Sequence, residues 1–127
     1  MKRIVTIYIN HMACYAYEDD EIPFSEDFAQ ICYMSGTVSY ACIQLAVYMG
    51  FKEIYLYGID FSGKSKKYEH FFKHETDTEN LPCADQFYVN YISAKKYAEK
   101  HGIKIYNASR GGDLELFDRV CLEEIEL

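Results

Sequence analysis

Residues 35–61 constrain the fold of this chain more than any other stretch, because they contain a full succession of turn, helix and strand. The stretch opens with the small polar turn 35–37 and closes with the glycine- and acid-containing segment 58–61. Its apolar run predicts a helix over 37–49, apolar almost all round and therefore buried rather than on the surface, and a central strand over 53–59. Open α/β sheets bind ligands at helix N-termini and at the carboxyl ends of strands. The stretch therefore predicts two walls of a nucleotide-type site.

The rest of the chain repeats this alternation. A β-rich run over 3–9 predicts an earlier strand, and 85–101 predicts a helix whose apolar face ends at a glycine. A strand follows at 103–107, and the tail 113–127 predicts a short strand or helical turn. The order strand, helix, strand, helix, strand implies parallel pairing with right-handed crossovers. One α/β domain with a mostly parallel sheet over 1–127 is therefore expected.

Composition narrows the classes of partner. The 127 residues carry a net charge of −7, which argues against a general nucleic-acid binder because such a protein presents a basic face. An anionic ligand would then be held by local dipoles and a few cations. No apolar run approaches the ~20 residues of a membrane span, and the N-terminus lacks a signal-peptide cleavage pattern. We therefore expect a cytoplasmic protein.

The cysteines and histidines do not form a metal-binding pattern. Five cysteines without a C-x-x-C pair predict reduced, mostly buried thiols (Cys14, Cys32, Cys42, Cys83 and Cys121). The four histidines are not spaced with these cysteines as zinc ligands would be. No metal site is expected.

Two candidate ligand contacts lie within the opening stretch. A glycine flanked by hydroxyls, Ser35-Gly36-Thr37, would present backbone N–H groups to an anion at a helix start, although plain N-capping explains the same residues and is favoured on the pattern alone. Asp60 follows a predicted parallel strand, where an acid can bind a ribose, a sugar hydroxyl or a metal. A turn cap explains Asp60 equally well.

The polar stretch 60–82 is too long for a simple connector and predicts a functional loop. Tyr68, His70 and His74 fall within it beside Lys73. Histidine is the usual general base near neutral pH, and phenol and ammonium groups can stabilise a departing phosphate. Surface histidines in a connecting loop are the alternative interpretation.

A second polar segment follows the third strand. Asn107 and Ser109 are placed to contact a ligand at the same sheet edge, and Arg110 to pair with an anionic group. Turn chemistry explains the two glycines that follow, but it does not require the arginine.

Two phrases of the sequence resemble a known domain family. SGTVSYACIQLAVYMGFKEIYLYGIDF at 35–61 and HGIKIYNASRGGDLELFDRV at 101–120 are similar to the family named for archaeal 6-hydroxymethylpterin diphosphokinase, which includes bacterial proteins of surface-polysaccharide and flagellin glycosylation. The first phrase also resembles bacterial α-2,3-sialyltransferases that use CMP-sialic acid in lipooligosaccharide synthesis. The resemblance implies a Rossmann-like three-layer α/β fold. It further implies that the chain corresponds to the C-terminal portion of a glycosyltransferase-like domain, without part of the N-terminal nucleotide-binding half.

The resemblance also assigns ligand contacts. In the sialyltransferases a Ser-Gly pair at a helix start lies against the donor sugar, which implies this role for Ser35 and Gly36. Two tyrosines beyond the Ile-Asp-Phe strand end assist the departing phosphate. The first of these positions is Ser62 here, a departure from the pattern, and the second is Tyr68.

The base is nominated in the same way. The second histidine of a His-aromatic-x-x-His segment is the general base in the sialyltransferases, which implies His74. The pterin-kinase branch has a His-Phe pair in this loop, which favours His70.

The implied activity is transfer of a sialic-acid-type sugar from a CMP donor to a glycan hydroxyl, with no metal or cofactor. The partners would be the nucleotide sugar and the glycan acceptor, with peripheral membrane association and self-association left open. Two alternatives also remain open. One is diphosphoryl transfer from ATP and magnesium to a pterin-type molecule, with Asp60 as a metal ligand. The other is an inactive binding or assembly domain.

Overall fold

The computed structural model of the chain describes residues 9–11, 22–34, 37–59 and 84–125. Strands and helices alternate through this part of the chain. In chain order they are β1 (Ile9–His11), β2 (Cys32–Met34), α1 (Val38–Tyr48), β3 (Glu53–Leu56), α2 (Ala84–Lys100), β4 (Lys104–Asn107), β5 (Asp118–Arg119) and a 3₁₀ helix (Leu122–Glu124). The predicted mixed α/β class is thus confirmed.

All strand pairs of the described residues are parallel. β1 pairs with β2, and β4 lies between β3 and β5 in a sheet of three strands. Tyr55, Tyr106 and Asp118 form one row across that sheet, and the rings of the two tyrosines stack with centroids 5.2 Å apart. The predicted parallel pairing of the second and third strands is therefore correct.

Both long helices end in the same way, at a glycine. Gly50 and Gly102 have φ of +90° and +64°, a backbone region that side chains with a Cβ rarely adopt. After Gly50, the N–H of Phe51 donates to the carbonyl of Ala46 at 3.2 Å. After Gly102, the N–H of Ile103 donates to the carbonyl of Ala98 at 2.9 Å. These are Schellman ends, which satisfy the last helical carbonyls. Each turns the chain directly into a strand, β3 or β4.

The core lies on one face of the three-stranded sheet. Tyr40 and Ile43 of α1 join Tyr91 of α2, Leu56 of β3 and Ile105 of β4 in a single buried cluster. Three residues of the apolar face predicted for the second helix are buried in this cluster, namely Tyr91, Ala94 and Ala98. Both helices contribute to the same cluster, so the described residues show a helix layer and a sheet layer. The third layer stays a prediction.

α1 is not buried all round, and that prediction was wrong. Val38 and Met49 are 65% and 64% exposed, and Leu45 is 37% exposed. The buried residues of the helix are Tyr40, Ile43 and Gln44. The apolar composition misled the prediction because α1 contains no charged residue that would mark its exposed side.

Gln44 is buried because all four hydrogen-bonding positions of its amide are satisfied. Oε1 accepts from the N–H groups of Ser25 (3.1 Å) and Tyr33 (3.2 Å). Nε2 donates to the carbonyls of Tyr33 (2.7 Å) and Tyr40 (3.1 Å). One side chain thereby ties α1 to β2 and to the segment that precedes β2.

The thiols also differ from expectation. Cys32, Cys42 and Cys121 are free, as predicted, but only Cys32 is buried. Burial raises the pKa of the Cys32 thiol. The prediction of mostly buried cysteines is therefore wrong for Cys42 and Cys121, while Cys14 and Cys83 lie outside the described residues.

Candidate functional site

The carboxyl edge of the β3–β4–β5 sheet opens into a shallow cavity of about 410 Å³, here called the edge cavity. Its walls are the residues that follow each of the three strands. They are Tyr57 after β3, the segment 108–110 after β4, and the segment 120–123 after β5. Parallel α/β sheets bind their ligands at this edge, so the edge cavity is the candidate site.

Asn107 and Ser109, predicted as ligand contacts, are buried beneath this edge. Asn107 Nδ2 donates to the carbonyl of Leu114 at 2.8 Å, and its Oδ1 accepts from the N–H of Ser109 at 2.9 Å. Ser109 Oγ accepts from the N–H of Ile59 at 2.9 Å. The bond between Ile59 and Ser109 fixes the segments after β3 and β4 to each other, and the two bonds of Asn107 hold the segment after β4 in shape. A ligand contact by Asn107 stays a prediction, because its side chain is completely buried.

Arg110 lies on the open side of the same segment. Its Nη2 is 2.7 Å from Glu123 Oε1, and both side chains are largely exposed. Cys121 Sγ donates to the other carboxylate oxygen of Glu123 at 2.9 Å. An arginine, a carboxylate and a thiol thus converge in the edge cavity, contributed by the ends of β4 and β5.

The electrostatics of this trio agree with its geometry. Hydrogen bonds from the Cys121 thiol, from the backbone and from Arg110 lower the pKa of Glu123 to about 2. The same carboxylate raises the pKa of Cys121, chiefly through the hydrogen bond that the thiol donates. The pKa of Arg110 is raised by its hydrogen bond to Glu123. At neutral pH the trio is therefore a cation, an anion and a protonated thiol.

A second arginine near this edge has a different role. Arg119 donates to the carbonyls of Ser109, Gly111 and Gly112, and to the carboxylate of Glu115. It thereby binds the glycine turn, where Gly112 has φ of +80°, to β5. This arginine shapes the loop, whereas Arg110 points its charge into the edge cavity.

Thr37 is at the N-cap of α1, as its sequence position predicts, with φ −136° and ψ 129°. Its side chain makes no capping hydrogen bond to the helix. Instead its Oγ1 is 2.7 Å from Ser39 Oγ, which is 2.6 Å from the hydroxyl of Tyr91. A line of three hydroxyls thus joins the start of α1 to α2.

The other predicted site residues lie outside the described part of the chain. They are Ser35, Gly36, Asp60, Ser62, Tyr68, His70 and His74. Their roles as ligand contacts, phosphate-side donors or base therefore stay predictions. The structure brings together three of the predicted residues, Asn107, Ser109 and Arg110, on one strand end.

Sequence reasoning did not find Tyr57, Cys121 and Glu123, which line the edge cavity beside Arg110. Tyr57 was hidden because it continues an aromatic strand pattern. Glu123 belongs to an acidic tail that resembles any solvated segment. The one available signal was Arg110 itself, which the chemistry of the glycine turn does not explain.

Among residues 9–11, 22–34, 37–59 and 84–125, no three histidine, cysteine, aspartate or glutamate side chains are grouped so that they could hold a metal ion. In the same residues, no helix has the length and apolarity needed to cross a membrane.

No protein-family model, curated protein or solved structure matches this chain significantly. The likeness of the two sequence phrases to the pterin-kinase and sialyltransferase families therefore stays a prediction, as does the fold it implies.

Proposed function

We propose that this chain is a glycosyltransferase-like domain of bacterial surface-glycan synthesis that transfers a sialic-acid-type sugar from a CMP donor to a glycan hydroxyl. The fold proposed with it is Rossmann-like and three-layered. The nucleotide sugar and the acceptor glycan are its proposed partners, in the cytoplasm, without a metal or cofactor.

The observation that carries the proposal is the exposed guanidinium of Arg110 at the carboxyl edge of three parallel strands. A CMP-sugar donor presents a phosphodiester and a sugar carboxylate, and a guanidinium binds either of these planar or tetrahedral anions well. The net charge of −7 makes a local cation necessary for such a ligand. The likeness of 35–61 to the sialyltransferases supplies the choice of CMP-sugar over other anions.

In the proposed reaction, His74 accepts the proton of the acceptor hydroxyl, with His70 as the second candidate. The acceptor oxygen attacks the anomeric carbon of the sugar, and the bond from that carbon to the CMP phosphate breaks. Tyr68 donates a hydrogen bond to the departing phosphate. Ser35, Gly36 and Thr37 contact the donor, with Asp60 and Ser62 beside them. Arg110 binds an anionic group of the donor, and Asn107 holds the loop that carries it.

The deciding experiment measures CMP release from CMP-sialic acid, with and without a lactose-type acceptor, in the presence of EDTA. We expect turnover by the wild type and a loss of at least about 100-fold in His74→Ala, as for removal of a general base. An unchanged rate in His74→Ala with a loss in His70→Ala would move the base to His70. Absence of CMP release together with magnesium-dependent release of AMP from ATP would replace the proposal with diphosphoryl transfer.

The contribution of Arg110 is tested by Arg110→Gln, with Lys104→Gln as the matched control. Both changes remove one positive charge from an exposed side chain, but Lys104 begins β4 and Arg110 follows its end. We expect CMP to raise the melting temperature of the wild type and of Lys104→Gln, and to do so less in Arg110→Gln. Equal shifts in all three proteins would exclude Arg110 from the donor site.

A further inference from the structure

The edge cavity already contains an anion, the carboxylate of Glu123. It lies on Arg110 at 2.7 Å, the distance expected of a charge-assisted bond to a bound ligand. Its second oxygen accepts from the Cys121 thiol at 2.9 Å, so Arg110 is not the sole donor to the carboxylate. The 3₁₀ helix that carries Glu123 has no buried residue. Packing therefore does not anchor this segment in place.

We propose that Glu123 occupies the anion subsite of Arg110 in the absence of ligand, and that an anionic group of the donor binds by displacing it. This inference rests on the proposed ligand-binding role of the edge cavity. It names Glu123 as the residue that sets the affinity of that cavity for anions, with Cys121 as the residue that positions it.

Displacement of Glu123 is physically easy. An ion pair between two exposed side chains is worth little, because water competes for both charges. The phosphodiester of a CMP-sugar carries one negative charge, as the carboxylate does, but it can form two parallel hydrogen bonds with the Arg110 guanidinium, whereas Glu123 bonds to it through Nη2. Without displacement, however, the incoming anion would lie next to the carboxylate and be repelled. The pair therefore favours anions that bind Arg110 more strongly than the Glu123 carboxylate does.

The state of the trio suits this role. The pKa of Glu123 is lowered to about 2 and that of Cys121 is raised, so the thiol keeps its proton and the carboxylate its charge under ordinary conditions. Among the acids that the structure describes, the nearest in sequence are Glu124 and Asp118, and neither is a lining residue of the edge cavity. Glu124 is therefore a matched control for Glu123.

The test measures binding of inorganic phosphate, CMP and free sialic acid by calorimetry to the full chain, as wild type, Glu123→Gln and Glu124→Gln. We expect Glu123→Gln to bind at least one of these anions about three- to fivefold more tightly than wild type, and Glu124→Gln to match wild type. The gain should shrink as salt rises from 0.05 to 0.5 M, at about the rate set by screening of exposed charges. A gain for phosphate and CMP assigns the subsite to the phosphoryl group, and a gain for sialic acid alone assigns it to the sugar carboxylate.

The outcomes separate this inference from the proposed function. Unchanged or weaker binding in Glu123→Gln overturns the inference, and so does an equal gain in Glu124→Gln or the absence of anion binding in every variant. Tighter phosphate binding in Glu123→Gln without any turnover of CMP-sialic acid would support the displacement of Glu123 and contradict the proposed transferase activity.

The positioning role of Cys121 is tested by two further variants. Cys121→Ser keeps a hydroxyl donor for Glu123, and Cys121→Ala removes it. We expect Cys121→Ser to match wild type and Cys121→Ala to bind phosphate about twofold more tightly, since the carboxylate then has one donor fewer. Equal affinities in the two variants would show that Cys121 does not position Glu123.

Discussion

The segment 107–110 at the end of β4 has two sides that differ in burial and in the partners of their hydrogen bonds. On the inner side, Asn107 is completely buried and Ser109 is 7% exposed, and their polar groups bond to neighbouring loops. On the outer side, Arg110 is exposed and bonds to another exposed side chain, Glu123. Within four residues the chain passes from groups that hold the fold to groups that water can reach.

The difference teaches which residues of a strand end are available for ligands. A buried amide with both ends bonded is costly to disturb, because each group left without a partner loses hydration it cannot regain. An exposed ion pair can open and close at little cost. Ligand exchange should therefore involve Arg110 and Glu123, while Asn107 and Ser109 keep the edge in shape.

The strongest test of this division is Asn107→Ala. The change leaves the carbonyl of Leu114 and the N–H of Ser109 without their partner in a buried place, so we expect a loss of about 2–4 kcal/mol in the free energy of unfolding. Urea denaturation measures it. Asn107→Asp keeps the acceptor and should also be destabilised, because the donor to Leu114 is lost. A loss below about 0.5 kcal/mol in both variants would contradict the inner network.

Ser109→Ala should cost less, about 1–2 kcal/mol, since one buried acceptor, that of the Ile59 N–H, is removed. The same denaturation experiment applies. The double variant Asn107→Ala/Ser109→Ala should lose less than the sum of the single losses, because the two side chains belong to one network. Strict additivity would mean that the two residues act independently.

The two arginines sharpen the comparison further. Arg119→Gln removes donors to three loop carbonyls and should lower the melting temperature by several degrees, about 4 °C or more. Arg110→Gln should change it by no more than about 2 °C, because its partner is exposed. Thermal unfolding followed by circular dichroism distinguishes them. Equal shifts would mean that Arg110 is also part of the structural network.

The smallest expected effect is one of pH. Glu123 has a lowered pKa, so its favourable interaction is fully present above the ordinary glutamate pKa near 4.5 and is lost as pH falls toward about 2. Carbon-13 NMR of the Glu123 carboxyl should show a midpoint near 2 in the wild type. It should move upward in Cys121→Ala and in Arg110→Gln, since each removes a donor to the carboxylate. A wild-type midpoint near 4.5 would show that Cys121 and Arg110 do not hold the Glu123 carboxylate.

Much of the fold is predictable because it depends on local signals. Gly50 and Gly102 end the two helices as their sequence positions indicate, and the β-branched and aromatic runs after them form β3 and β4. The outer side of the edge is not predictable in this way. Glu123 meets Arg110 across 13 positions of sequence, and only the path of β5 brings them together.

The burial of individual side chains was predicted less well. α1 contains no charged residue, so its sequence indicates no solvent side. The buried side of α1 is instead the side that packs against β2. Gln44 is buried there because its amide bonds to the backbone of Ser25 and of Tyr33. Similarly, Asn107 and Ser109 were placed at the right edge, but their inward orientation depends on bonds to Leu114 and Ile59 that no local pattern contains.

The amide of Gln44 has a consequence for how faithfully this chain folds. Two-residue periodicity means that a strand displaced by one position presents its opposite face. β2 is only three residues long, too short for its own side chains to select one alignment strongly. Because Gln44 bonds both the N–H and the carbonyl of Tyr33, a slip of β2 by one residue would break both bonds at once. Gln44 of α1 therefore favours the observed alignment of β2 over the alignment displaced by one residue.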